Sequence, residues 1–325
     1  MGGTIWGMKL ALVTVGLLVM VPETMQLNVN HPVTSAAQRL NLQYGPFLGL
    51  IISSPRDENV LKNSSLFTPI NDVDRVLLYA GRSFHIGMFN GFPAIYVLAG
   101  EPLSNVGATT QMLLDMFHIS GIISYGGAAT VSTGVFITNV VIPSQVTYTG
   151  SWEWAPQNGV RIAPGFNIGD YNLPEAGENA LSSVHFAAVP LYKSSSSKAK
   201  MVYDIDVHSD WVNLASQINF GDDRLTVRFG NKLGSSDVYL KNRAYASVLS
   251  KQLGVSTIDT ESAAVVTTAI ANEVPHIVIR GASNRPGLRS DKRLSEVTAK
   301  NVLKVVAKFV EAAYTPVSPR KYSIV

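Results

Sequence analysis

Two stretches toward the C-terminal end carry the side chains best suited to chemistry. The first, Ser256-Thr257-Ile258-Asp259-Thr260-Glu261-Ser262-Ala263-Ala264, closes a short β-branched run with acid and opens an Ala-rich segment of helical character, Ser262 to Asn272. The second, Ile277-Val278-Ile279-Arg280-Gly281-Ala282-Ser283-Asn284, is an apolar strand that ends in polar groups. Ligands of an open α/β sheet bind beyond the carboxyl ends of its strands. A carboxylate (Glu261), a guanidinium (Arg280) and an amide (Asn284) thus stand at adjacent strand ends. An arginine closing an apolar strand is costly to bury unless carboxylates meet it.

The elements that must position these groups alternate along the chain. Phe47 to Ser53 is a continuous apolar run, expected as a fully buried strand. Arg75 to Ala80, His85 to Phe89 and Ala94 to Ala99 read as short strands of a meander separated by Gly-rich turns. Ser104 is the expected N-cap of a helix from Asn105 to Phe117, whose Val106, Leu113, Leu114 and Phe117 recur at helical spacing. Gly121 to Tyr125 reads as a strand ending in a Gly126-Gly127-Ala128-Ala129 turn, and Phe136 to Ile142 as another strand. From residue 149 to 203 turn-forming residues dominate, and Lys193 to Lys200 holds four consecutive serines, so this is expected as a surface insertion. Leu225 to Phe229 reads as a strand, and Leu240 to Leu253 and Glu296 to Ala313 as helices. Interleaved strands and helices imply an α/β domain with a mixed, largely buried sheet.

The two opening stretches are similar to motifs of the purine nucleoside phosphorylase and methylthioadenosine nucleosidase superfamily. There a Met-Glu-Ala-type motif grips the ribose and an Arg-x-x-Ser-Asp motif serves the nucleophile and the base. The resemblance runs from Gly45 to Tyr314 and is strongest to the plant branch of bark and vegetative storage proteins. It implies a single domain over 45–316, a partly barrel-like mixed sheet flanked by helices, and cleavage of the N-ribosidic bond of purine nucleosides. It also implies a homo-oligomer, and it leaves open a nitrogen-storage protein with a vestigial site or a nucleoside binder without turnover.

The resemblance implies roles residue by residue. Glu58, in Ile52-Ser53-Ser54-Pro55-Arg56-Asp57-Glu58, matches the base that activates water. Glu261 would accept hydrogen bonds from the ribose hydroxyls, with Thr260 where relatives have a Met under the sugar. Arg280 would orient the attacking water, paired with Glu58 and Glu261. Ala128 and Ala129 would face the base and ribose, Tyr239, in Ser235-Ser236-Asp237-Val238-Tyr239-Leu240, would stack on the purine, and Ser283 would support the neighbouring amide. Asn284 departs from the pattern, because nucleosidases carry an acid there that protonates N7 of the leaving adenine. An amide donates a hydrogen bond but no proton. The Gly-Asp-Pro-x-Arg phosphate loop of the phosphorylases is absent, its place reading Ser54-Pro55-Arg56-Asp57-Glu58, and Ser124-Tyr125 stands where they have another Arg. Water is therefore favoured over phosphate as co-substrate.

Composition bounds the remaining possibilities. A hydrophobic content of 46% with 15% charged residues excludes disorder, and a net charge of +3 without a dense basic run gives no footing for nucleic acid. Lys9 followed by the apolar Leu10 to Val21 and by Pro22-Glu23 reads as a secretory signal, residues 1–24, leading to vacuole or exterior. About a dozen apolar residues fall short of the ~20 that span a bilayer, so no membrane association is expected. Residues 25–44 read as a leader and 317–325 as a tail. There is no cysteine, hence no disulfide and no thiol nucleophile, and the six scattered histidines indicate no metal. No cofactor is expected. Asn63-Ser64-Ser65 is a glycosylation sequon.

Overall fold

The computed structural model describes residues 32–154, 184–221 and 225–314. The expected secretory signal, the middle of the insertion and the C-terminal tail lie outside these residues. Within the leader, α1 (Pro32–Tyr44) is helical and buries Ala37 and Leu40.

The sheet is organised around β1 (Phe47–Ile52), whose six residues are all buried. It lies parallel between β5 (Phe92–Leu98) and β6 (Ile119–Thr130). A strand covered on both faces needs apolar side chains at every position, and Phe-Leu-Gly-Leu-Ile-Ile meets that. The meander follows at one edge, with β2 (Phe67–Pro69) and β3 (Val76–Tyr79) each antiparallel to β4 (Arg82–Phe89), which pairs with β5.

The other half closes on itself. β7 (Val140–Tyr148) pairs with β13 (Val227–Ser235), β13 with β14 (Val255–Asp259), β14 with β6, β6 with β15 (His276–Asn284), and β15 again with β7. That ring is the barrel-like part of a mixed sheet in a single α/β domain. Two short hairpins, β8 (Trp152–Trp154) with β9 (Val184–Phe186) and β10 (Val189–Leu191) with β11 (Lys200–Val202), and the edge strand β12 (Asp204–Asp206) complete the strands.

Helices cover the sheet: α2 (Pro55–Lys62), α3 (Leu103–Met116), α4 (Ser209–Ser216), α5 (Arg243–Leu253), α6 (Ser262–Ala271) and α7 (Lys292–Tyr314). The close approach of α7 to β15 explains Gly281. A Cβ there would lie 2.3 Å from Thr298 Cγ2 and 2.6 Å from Val302 Cγ2. The packing of α7 therefore fixes the strand segment that carries Arg280.

Several boundaries differ from those read in the sequence. The Gly126-Gly127-Ala128-Ala129 segment is no turn: β6 continues through it, with Gly126 opposite Arg280 and Ala128 opposite Ala282. The expected strand over Phe136 to Ile142 begins only at Val140, because Thr138 has φ 77° and breaks the extended run. Ser104 lies inside α3, whose N-cap is Pro102 and uses no side-chain hydrogen bond.

A cleft of buried carboxylates around Arg280

The connection from β1 into α2 sets the first wall. Ser54 is the N-cap, extended at φ −142°, Pro55 opens the helix, and the Asp57 N–H donates to Ser54 Oγ at 3.3 Å. Proline suits the first helical turn because no intrahelical partner waits for its missing N–H. Asp57 folds back toward the cap, where Ser54 Oγ donates to its Oδ2 at 2.5 Å. The side chain is thereby buried. Burial pushes the Asp57 carboxyl up, and the Ser54 hydroxyl, Arg280, Arg56 and the Gly127 N–H oppose this without cancelling it.

One residue further along α2 lies about 100° round the helix. Glu58 accordingly turns away, its Oε1 2.7 Å from Lys62 Nζ, and its charge falls on His85, Tyr96 and Tyr125. The expected placement of Glu58 beside Arg280 is thus corrected. The acid that reaches the cleft from this helix is Asp57. Ser-Pro-x-Asp is itself a helix-start signature, and reading it would have placed Asp57 inward.

Gly126 makes this wall possible. Its φ is 156°, and a Cβ on it would sit 2.3 Å from Ser53 Cβ and 3.1 Å from Asp57 Oδ2. Only glycine lets β6 pass so near the ends of β1 and α2.

The floor is an ion cluster out of solvent. Arg280, fully buried, donates through Nε to Asp259 Oδ2 at 2.6 Å and through Nη2 to Ser124 Oγ at 2.8 Å. Nη2 also lies 3.3 Å from Glu261 Oε2. Its Nη1 has no hydrogen-bond partner. Asp259 is fixed further by the Ser262 hydroxyl and by the N–H groups of Glu261 and Ser262 at 3.2 and 3.1 Å. Burial alone would raise Asp259; Arg280 beside it, with the hydroxyls of Ser262 and Ser235, outweighs that and holds it below the usual carboxylate range. Glu261 goes the other way. Burial, reinforced by the neighbouring charges of Asp259 and Glu101, pushes it up to about 7 against the pull of Arg280 and of the Ser53 hydroxyl that donates to it. Sequence reasoning missed Asp259 as a member of the site; its position two residues before Glu261 was the available signal.

Above this floor opens a cleft of about 420 Å³. Ala128 and Ala129, Tyr239, Thr260, Ser283 and Asn284 all line it, as do Asp57, Asp259 and Glu261. The Thr260 hydroxyl donates to Glu101, another lining acid. Tyr239 is 70% exposed, on the loop between β13 and α5, which Asp237 ties to the start of α3 by accepting from Leu103 N–H at 2.7 Å. Ser283 Oγ donates to Asn284 Oδ1 at 3.0 Å, nearer than its other acceptor, Ala128 O, at 3.3 Å. That bond turns Oδ1 of the amide toward Ser283 and leaves Asn284 Nδ2 as a donor.

A larger groove of about 880 Å³ runs between α2 and α7, past Arg56, Asn59, Lys292 and Glu296. None of its titratable lining residues is buried. The buried acids Asp57 and Glu261 line the smaller cleft instead. Among the described residues no group of three His, Asp or Glu side chains could hold a metal ion, and no helix is long and apolar enough to cross a membrane.

The family model of the phosphorylase superfamily matches residues 48–315. The chain belongs to the phosphorylase superfamily. Within it, this member is 32% identical to bark storage protein A of Populus deltoides over 315 residues, covering 91% of this chain and 98% of the relative. Bark storage protein B of the same plant is 31% identical over 312 residues, with the same coverage. Among solved structures, the 5′-methylthioadenosine/S-adenosylhomocysteine nucleosidase of Helicobacter pylori superposes with a TM-score of 0.61 at 15% identity, over 83% of this chain and 99% of that one. The futalosine hydrolase of the same bacterium gives a TM-score of 0.60 at 14% identity, over 81% and 97%. A Neisseria meningitidis nucleosidase in complex with methylthio-immucillin-A gives 0.60 at 16%, over 82% and 98%. This superfamily member thus has the nucleosidase and phosphorylase fold.

Proposed function

We propose that this superfamily member cleaves the N-ribosidic bond of purine nucleosides with water. The observation that carries the reading is the buried Asp259–Arg280–Glu261 cluster opening, with Asp57, into a cleft that Asn284 and Tyr239 also line. Glu261 accepts hydrogen bonds from the ribose hydroxyls and, ionised, stabilises the oxocarbenium-like sugar of the transition state. Asp57 accepts a proton from water as the water oxygen bonds to C1′. The C1′–N9 bond breaks and its electron pair leaves with the base. Arg280 Nη1, a buried donor without a protein partner, is available to hold the water.

The charge of the cleft supports hydrolysis over phosphorolysis. Asp57, Glu101, Asp259 and Glu261 line it, against Arg56 and Lys241 at its edge and Arg280 below. A phosphate dianion set among these acids would meet like charge, whereas water meets none.

Asn284 decides the base. Its free Nδ2 can donate to N7, and a 6-oxopurine adds a second acceptor at O6, where adenine has a donor. This favours 6-oxopurine nucleosides, and the departing base takes its proton from solvent. Asn284 and the bark storage relatives also support a second reading, a nitrogen-storage protein in which the site is vestigial. With residues 1–24 read as a secretory signal, either role belongs to a vacuolar or extracellular homo-oligomer.

Purified protein incubated with inosine, guanosine and adenosine, with and without phosphate, separates the readings by release of free base. Release that needs no phosphate supports hydrolysis. Release only with phosphate overturns it, and no release from any nucleoside leaves storage.

A further inference from the structure

A second hollow, of about 250 Å³, adjoins the cleft and has the opposite electrostatic character. Its lining includes Arg243, Lys251 and Arg285 together with the hydroxyl-bearing Thr133, Ser247 and Ser250, and no acidic residue. Thr130 lines it too, but its hydroxyl donates to Val135 O at 3.0 Å. One wall is a face of α5: residues 243, 246, 247, 250 and 251 recur at helical spacing, so they point the same way. Ala246, Ser247 and Ser250 are small and leave room. Arg243 and Lys251 stand at the two ends of that stripe, about two turns apart.

The placement is built into the fold. Gly287, at φ 74°, brings the loop after β15 against Arg243, where a Cβ would lie 2.5 Å from Arg243 Cγ. Arg285 is held by donating through Nη2 to Val135 O at 3.2 Å. Among the described residues none of the three cations has a carboxylate within salt-bridge distance. Three like charges around one hollow repel one another, and an anion between them relieves this. Arginines and hydroxyls together supply charge-assisted donors in the arrangement a compact dianion requires.

We infer that this hollow binds a compact dianion, a phosphate or dicarboxylate group. It shares no lining residue with the acidic cleft, yet Thr130 follows Ala129 and Arg285 follows Asn284 directly in the chain. An anion here is therefore no co-substrate at the sugar. It is either a free ion or the charged end of a nucleoside substituted on its base, reaching past Asn284. The site does not depend on turnover in the cleft.

Isothermal titration of the full chain with inorganic phosphate at low ionic strength tests the inference without any nucleoside. Saturable binding is expected, weakened about tenfold (about 1.4 kcal/mol) in each of Arg243→Gln and Lys251→Gln. The remote, exposed Lys200→Gln is expected to match the wild type. A second arm compares binding of adenosine with that of adenosine carrying a dicarboxyethyl group on N6. A tenfold preference for the charged nucleoside that disappears in Lys251→Gln assigns the dianion to the ligand; phosphate binding without that preference assigns it to a free ion. Absence of both, or phosphate binding equally strong in Arg243→Gln and Lys251→Gln, would overturn the inference. A protein that releases no base but binds phosphate in this pattern leaves the anion site standing and removes only the catalytic reading.

Discussion

Asp57 and Glu58 are neighbours in the chain yet end on opposite sides of α2, Asp57 hydrogen-bonded to its cap Ser54 within the cleft and Glu58 paired with Lys62 outside it. Which acid faces the cleft is thus decided by where the helix starts. General-base catalysis contributes about 10²–10⁴ in rate. Asp57→Asn is therefore expected to lower kcat for base release at least about a hundredfold, with KM little changed. Steady-state kinetics on inosine checks it.

The buried ion cluster predicts a stability effect. Removing one partner of a buried pair leaves the other charge uncompensated and costs about 3–5 kcal/mol. Arg280→Met strands both Asp259 and Glu261, so urea unfolding should show a loss of that order. A midpoint equal to wild type would mean that the carboxylates are neutralised in some other way.

Glu261 predicts a pH dependence of unusual sign for an acid. Its carboxyl is raised from 4.5 to about 7 in the folded protein, so across that window the folded state keeps a proton that the unfolded chain has released. Stability falls where the folded state binds more protons as pH rises. The contribution of Glu261 is thus most favourable below about pH 4.5 and lost as pH rises to about 7. Glu261→Gln should remove this slope, becoming relatively more stable against wild type at pH 8 than at pH 5 in paired urea titrations.

Asn284→Asp restores a group able to give a proton. Adenosine cleavage is expected to rise about a hundredfold, with a new loss of activity as pH rises through the pKa of the introduced acid. Free adenine release, followed by absorbance across pH, checks both. An unchanged rate in a folded variant would remove Asn284 from the reaction.

Much of this was readable beforehand, and the exceptions have local causes. Phe47–Ile52 and His276–Ala282 are buried throughout, so the apolar runs Phe47–Ile52 and Ile277–Ile279 mark their strands. Glu261, Arg280, Ser283 and Asn284 followed because they sit at or beside the ends of such runs. Gly126 and Gly127 looked like a turn, but glycine there serves close passage of Ser53 and Asp57 while the strand goes on pairing with β15. Asp57 was missed because α2 is a short, polar helix of eight residues whose cap, rather than its hydrophobic pattern, announces it. Nothing local to Asp259 but its nearness to Glu261 marks its role, since its partner Arg280 comes 21 residues later.

Purine nucleoside turnover in phosphate-free buffer, measured side by side for wild type, Asp57→Asn and Glu58→Gln, tests hydrolysis with Asp57 as base most directly. Wild type is expected to release free base from inosine, Glu58→Gln to stay within about threefold of it, and Asp57→Asn to lose at least about a hundredfold. Base release that survives in Asp57→Asn, or that disappears in Glu58→Gln instead, would contradict it.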